Sequence, residues 1–210
     1  GPIKIIVGPW THGGKTPELS YAGDIEFGED APIGNFRNLH LRWFDCWIKS
    51  KANEIEELPP VSIFVMGGGG GHRTIDGRLF HGGKWRSEKE WPISTTRFTK
   101  FYLHSDGYLN TNPPMDEISR TSYTFDPTRP VPSIGGNVSS LSEISDFPIG
   151  IGNSEYAPKA LRVHEVMKAG GFDQVEGKEF YGCAPPYLPL NSRPDVLSFF
   201  TEQLNEKVEI

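Results

Sequence analysis

A histidine stands directly after a short apolar run: Ile3-Lys4-Ile5-Ile6-Val7 is followed by Gly8-Pro9-Trp10-Thr11-His12-Gly13. The run is β-branched and nearly all apolar, the pattern of a strand buried on both faces in a parallel sheet. In open α/β sheets, ligands and catalytic groups gather at the carboxyl ends of strands, and His12 occupies such a place. An imidazole titrates near neutrality, so it can take a proton from a hydroxyl nucleophile and return it to a leaving group. The same residue also reads as a loop histidine without catalytic work, and spacing alone leaves both readings open. Trp10 reads in two ways as well, as a pocket-lining side chain or as packing.

Other segments with chemical potential carry less. Gly14-Lys15-Thr16 after a strand invites a phosphate-loop reading, but that motif needs a glycine with four residues between it and Gly14, and the residue there is Pro9. Pro17 follows at once and disfavours the helix that such a loop must enter. Gly67–Gly71 is a run of five glycines without a dinucleotide-binding context and is expected to be a flexible loop. His72 and His81 flank that loop without a Cys or carboxylate pattern, so no metal site is expected and their role is structural or solvent-facing. Cys46 and Cys183 are too few for a disulfide framework, and Cys46 sits in an apolar helical pattern as a small buried side chain.

The elements that would position His12 follow from periodicity. Residues 8–34 are rich in Gly and Pro and read as a long loop, a kind usually tied to function. The one strong helix is expected over Asn35–Lys49, where Phe36, Leu39, Trp43, Phe44, Trp47 and Ile48 fall on one face. Asn35 suits the N-cap, and Lys49 and Lys51 suit the C-terminal dipole. The helix should bury Phe36, Trp43, Phe44 and Trp47 against a core, and Ile3–Val7 should be a central strand. After a charged connector, Pro59-Pro60 introduces the strand Val61–Met66. Further on, short β-like runs recur at Thr99–His104, Arg120–Phe125 and Val196–Thr201, with a helical turn near Leu161–Ala169. Strands separated by turn-rich stretches such as Ile134-Gly135-Gly136-Asn137 are the pattern of a β-sandwich. A domain boundary is expected near Trp91-Pro92.

Composition narrows the classes. The 210 residues carry 24 Gly and 18 Pro and a formal charge of -6, which favours many turns. No basic excess or stripe points to nucleic acid, and no apolar stretch is long enough for a membrane span. Gly1-Pro2-Ile3-Lys4 does not look like a signal peptide and reads as the middle of a longer chain. The compartment stays open, with the cytoplasm favoured.

The segment Ile5-Ile6-Val7-Gly8-Pro9-Trp10-Thr11-His12-Gly13 resembles the catalytic-histidine segment of the CocE/NonD serine hydrolases, the group of X-Pro dipeptidyl-peptidases, cocaine esterases and glutaryl-7-aminocephalosporanic acid acylases. Leu41–Lys49 resembles that family's final hydrolase helix, and Pro59–Gly67 its next strand. Lys84-Trp85-Arg86 and Glu90-Trp91-Pro92 resemble the link into its jelly roll. Thr99–Leu103, Tyr123–Pro127, Pro130–Gly136 and Ser192–Leu197 resemble the opening of the jelly roll itself. The glycine run and the stretch around 143–185 are less family-like.

The resemblance implies an α/β plus β chain. Residues 1–92 would be the C-terminal part of an α/β-hydrolase domain, and 93–210 the beginning of a jelly-roll β-sandwich. It implies a Ser-Asp-His triad of which only His12 is present, because Gly-x-Ser-x-Gly occurs nowhere in the sequence and few residues precede His12. It implies an ester, amide or peptide substrate, a pocket touched by Trp10, and no metal or organic cofactor. The chain alone is then expected to be inactive, cut at both ends and prone to self-association. The rival reading is a non-catalytic β-sandwich module binding, for example, carbohydrate. It leaves the strand, loop and helix of residues 1–50 without a place.

Overall fold

The computed structural model describes residues 2–12, 16–115, 120–137, 168–206 and 208–209. These residues are mostly strand and turn, with one α-helix and two short 3-10 helices among them. They fall into two compact units. Gly1–Ser94 with Ser133–Asp173 makes the first, and Thr95–Pro132 with Gln174–Ile210 makes the second. Most of the expected turn at Leu161–Ala169, and Gly14-Lys15, lie outside the described residues.

The first unit is organised by β4 (Val61–Met66). It pairs in parallel with β1 (Ile5–Val7) and antiparallel with β6 (Gly83–Glu88), in the order β1-β4-β6. The registers are Ile5↔Val61 through Val7↔Ile63 on one side and Phe64↔Trp85 on the other. The helix α1 (Phe36–Trp47) lies in the connection from β1 to β4, so the segment is a βαβ unit. Asn35 caps α1, its Oδ1 accepting from the Asn38 N–H at 2.9 Å.

The loop expected over residues 8–34 is more ordered than its composition suggests. It contains β2 (Tyr21–Ala22) and β3 (Ile25–Glu26), which form a second small sheet with β5 (Leu79–Phe80). Phe27, Ala22, Ala31 and Phe64 make the buried core, with Ile25 and Trp85 against it. Arg73 braces this sheet by ion pairs to Asp24 (2.7 Å) and Asp173 (3.2 Å). The glycine run is also corrected. The N–H groups of Gly67, Gly69 and Gly70 donate to the carbonyls of Gly82, His81 and Phe80, so the run is a paired loop and not a free linker. His72 stacks on Phe80, and His81 lies against Phe27.

Burial in this chain differs from expectation in two places. Ile5–Val7, expected as a central strand, has a strand neighbour only in β4 among the described residues, and Val7 is 47% exposed. The helix fully buries Cys46 alone, while Phe44 is 50% and Trp47 40% exposed and Phe36 and Trp43 are half-buried. α1 is tied to the turn that follows it. Asn53 Nδ2 donates to the Arg42 carbonyl at 2.9 Å, Arg42 pairs with Glu54, and the Lys51 N–H donates to the Asp45 carbonyl. Burial raises the pKa of the Cys46 thiol, and Ile55 in the following turn is fully enclosed.

In the second unit β7 (Tyr102–Leu103) and β8 (Leu109–Asn110) form a hairpin, joined to Phe200 by hydrogen bonds from Leu109 N–H and from Phe200 N–H to Gly107. The β-like run at 120–125 forms no strand, and 196–201 contributes the single bridge Tyr108↔Phe200. Side-chain contacts of Arg193 join the segments there. Arg193 makes a two-pronged pair with Asp195 (2.8 and 2.7 Å) and donates to the Arg129 carbonyl at 2.7 Å. Their side chains are only 16% and 7% exposed.

Two predictions follow from these surfaces. The Arg193 hydrogen bond holds the Asp195 carboxyl below its ordinary pKa. A depressed carboxylate contributes stability that is present above its unfolded-state pKa of about 4 and lost as pH falls through the folded value. Asp195→Asn should therefore melt earlier than the parent at pH 7, and the gap should close in acid; a gap independent of pH would refute the ion pair's role. Separately, an unpaired strand edge at β1 and the exposed Leu41, Phe44, Trp47 and Ile48 of α1 are association hazards. Light scattering on the isolated chain should show self-association, and a monodisperse monomer would contradict it.

Candidate active site

The loop leaving β1 is held by its backbone and by one aromatic contact. Gly8 lets the chain fold back, because a Cβ there would lie 1.8 Å from the Trp10 ring. Trp10 then packs on Trp85 of β6, ring centroids 6.1 Å apart and tilted by 40°. Trp85 meets Phe64 edge-on at 5.4 Å, and Phe64 meets Phe27 edge-on at 6.0 Å. The Trp85 indole N–H donates to the Asp30 carbonyl at 3.0 Å, which fixes the ring's rotation. Aromatic pairs of this geometry each add about 0.5–1.5 kcal/mol beyond burial. The loop is thus joined to the core through a continuous line of rings.

Two hydrogen bonds complete the hold. The buried Thr11 offers its carbonyl to the Thr16 hydroxyl at 2.6 Å, closing the loop across its own base. The His12 N–H donates to the Asn137 side-chain Oδ1, also at 2.6 Å. The His12 side chain itself is exposed. The backbone is therefore held at and just ahead of an exposed histidine, an arrangement that can hold a proton-transfer group in place and leave it accessible.

Asn137 is in turn fixed by glycines. Gly136 and Gly170 exchange N–H···O bonds at 2.7 and 2.9 Å, Gly171 N–H donates to the Ala22 carbonyl, and Asp24 N–H donates to Gly171. Gly170 has φ +107°, and a Cβ on it would lie 2.1 Å from the Gly23 nitrogen, so only glycine permits the approach. Ile134 is buried in the same segment.

The sequence-predicted residues thus lie together: Trp10 is half-buried with its ring against Trp85, and His12 is exposed two residues on. Sequence reasoning missed Asn137, Trp85 and Thr16. Ile134-Gly135-Gly136-Asn137 carries only a turn signal, and its meeting with His12 across 125 positions has no local signature. Among the described residues no three His, Cys, Asp or Glu side chains cluster closely enough to hold a metal ion, and no helix is long and apolar enough to cross a membrane.

The chain is similar to known proteins. The family model of the X-Pro dipeptidyl-peptidase C-terminal non-catalytic domain matches residues 53–210, from the turn after α1 onward. Cocaine esterase from Rhodococcus sp. (strain MB1 Bresler) is 27% identical over 217 residues, which cover 99% of this chain and 28% of that protein. The chain therefore spans little more than a quarter of the length of the curated relative it matches. With a family model over most of its length and that relative aligned to nearly all of it, the chain belongs to the CocE/NonD and X-Pro dipeptidyl-peptidase family and carries that family's C-terminal non-catalytic domain.

Proposed function

We propose that this chain is part of a serine hydrolase that cleaves an ester, amide or X-Pro peptide bond, with His12 as its general base and acid. The observation that carries the reading is His12 itself, exposed at the C-terminal end of β1 on a backbone held at Trp10, Thr11 and Asn137. The βαβ connectivity of β1, α1 and β4 supports residues 1–92 as the closing part of an α/β-hydrolase domain. The match to the C-terminal non-catalytic domain, together with the β7–β8 hairpin, supports 93–210 as the opening of a jelly-roll β-sandwich.

The chemistry follows from what an imidazole does. A serine supplied by another segment attacks the substrate carbonyl, and His12 Nε2 takes the hydroxyl proton. An acid from outside this sequence accepts from Nδ1 and fixes the tautomer, and backbone donors stabilise the tetrahedral oxyanion. His12 then protonates the leaving alcohol or amine. In the second half it takes a proton from water, which attacks the acyl-enzyme, and returns it to the serine. No cofactor is needed for these steps. Trp10 lines the acyl side of the pocket through whatever part of its ring is not covered by Trp85. The rival reading, a carbohydrate-binding module, is compatible with a non-catalytic domain but assigns no role to the fixed histidine loop.

Two measurements check the proposal. The isolated chain lacks a nucleophile-elbow serine and should stay unlabelled by a fluorophosphonate probe; stoichiometric labelling of any serine would refute it. In the full-length enzyme, His12→Ala should lower kcat by at least about 10³-fold, as loss of a triad member does. The Tm should hold, because an exposed truncation costs within about 0.5 kcal/mol. Near-normal kcat would show that His12 is not the base, and the same substitution at His40, His72, His81, His104 or His164 should leave turnover intact.

A further inference from the structure

The hydrogen bond from His12 N–H to Asn137 Oδ1 joins the candidate base to a segment 125 residues away in sequence. We infer that Asn137 is a positioning residue for His12: its side-chain carbonyl sets the position of the His12 backbone and hence the place from which the imidazole reaches substrate. This inference rests on the reading of His12 as the catalytic base.

Three observations carry it. The contact is short, 2.6 Å, and its acceptor is a side chain, so it depends on the identity of residue 137 and not on backbone alone. The segment that presents Asn137 is itself immobilised. Gly136 and Gly170 exchange both N–H···O bonds, Gly171 and Asp24 continue the pairing onto β2 and β3, and Ile134 is buried. Finally, the other restraints on the loop lie ahead of His12, at the Trp10 ring and the Thr11 carbonyl. The Thr11 carbonyl and the His12 N–H belong to one planar peptide group, which the Thr16 hydroxyl holds at its oxygen and Asn137 at its nitrogen. Without Asn137 that group loses one of these two restraints, and a shift of the backbone at His12 carries the imidazole with it. Catalytic groups must sit within about 0.5 Å of productive geometry, and small misplacements can cost on the order of 10²-fold in rate.

Aspartate keeps an Oδ acceptor at this position, whereas alanine removes it. In the full-length enzyme acting on a p-nitrophenyl ester, Asn137→Ala should lower kcat by about 10–100-fold with KM little changed. Asn137→Asp should restore most of that loss. Asn137 is exposed, so both variants should melt with the parent. If the alanine variant did melt early, recovery of kcat in the aspartate variant would still support positioning, and equal impairment of the two would overturn it. Parent-like kcat in Asn137→Ala would also overturn it. His12→Ala separates the two ideas: if that variant is inert while Asn137→Ala is silent, the base is right and the positioning is wrong. If His12→Ala turns over normally, the catalytic reading itself falls.

Discussion

β4 is paired on both edges, and the rest of the first unit takes its geometry from that fact. Its parallel ladder to β1 and antiparallel ladder to β6 set where the chain leaves β1 and which side chain of β6 waits there. Side chains alternate along a strand, so a one-residue slip in either ladder would turn Trp85 or Phe64 to the opposite face. The observed register puts Trp85 opposite Phe64 on the face where Phe27 and Ala22 are buried. Trp10 meets the core through its contact with Trp85. The position of the histidine loop is therefore a consequence of strand register, transmitted through ring contacts.

What was legible in the sequence is what short-range chemistry dictates. The strand Val61–Met66 follows from its apolar run after two prolines, and α1 follows from a 3.6-residue stripe with an Asn cap. A stripe says that one face of a helix is apolar, but it contains no information about what covers that face. The expectation that α1 buries Trp47 and Phe44 failed on that distinction, since the described contacts of the helix run to the turn at 53–58 instead. The two-residue strands in the 8–34 loop and the pairing of the glycine run were not legible for a related reason. Both are made by partners distant in sequence, and glycine carries no side-chain pattern to announce a pairing.

The candidate site divides the same way. His12 and Trp10 could be singled out because a histidine after a strand and a Gly-Pro turn is a local pattern with a chemical meaning, and their catalytic role is proposed from it. Asn137 was not, because its meaning comes from a meeting across 125 residues. The bracket that makes the meeting possible uses glycines at 23, 136, 170 and 171, where close backbone approach excludes a Cβ. In sequence such glycines look like ordinary turn punctuation. Only the geometry shows that they bring two backbones to hydrogen-bonding distance.

A proton-transfer residue faces two opposed demands. Its ring must be free enough to exchange partners between nucleophile, leaving group and water, and its origin must be fixed so that each partner is met at hydrogen-bond distance. Packing the imidazole itself would meet the second demand and defeat the first. The loop here separates them. Rigidity is placed on the neighbours and the peptide group, through the Trp10 ring, the Thr11 carbonyl and the His12 N–H. The two side-chain torsions of His12 are left to solvent. The restraint on the His12 N–H comes from Asn137, 125 residues away in sequence, and it acts on the backbone rather than on the ring.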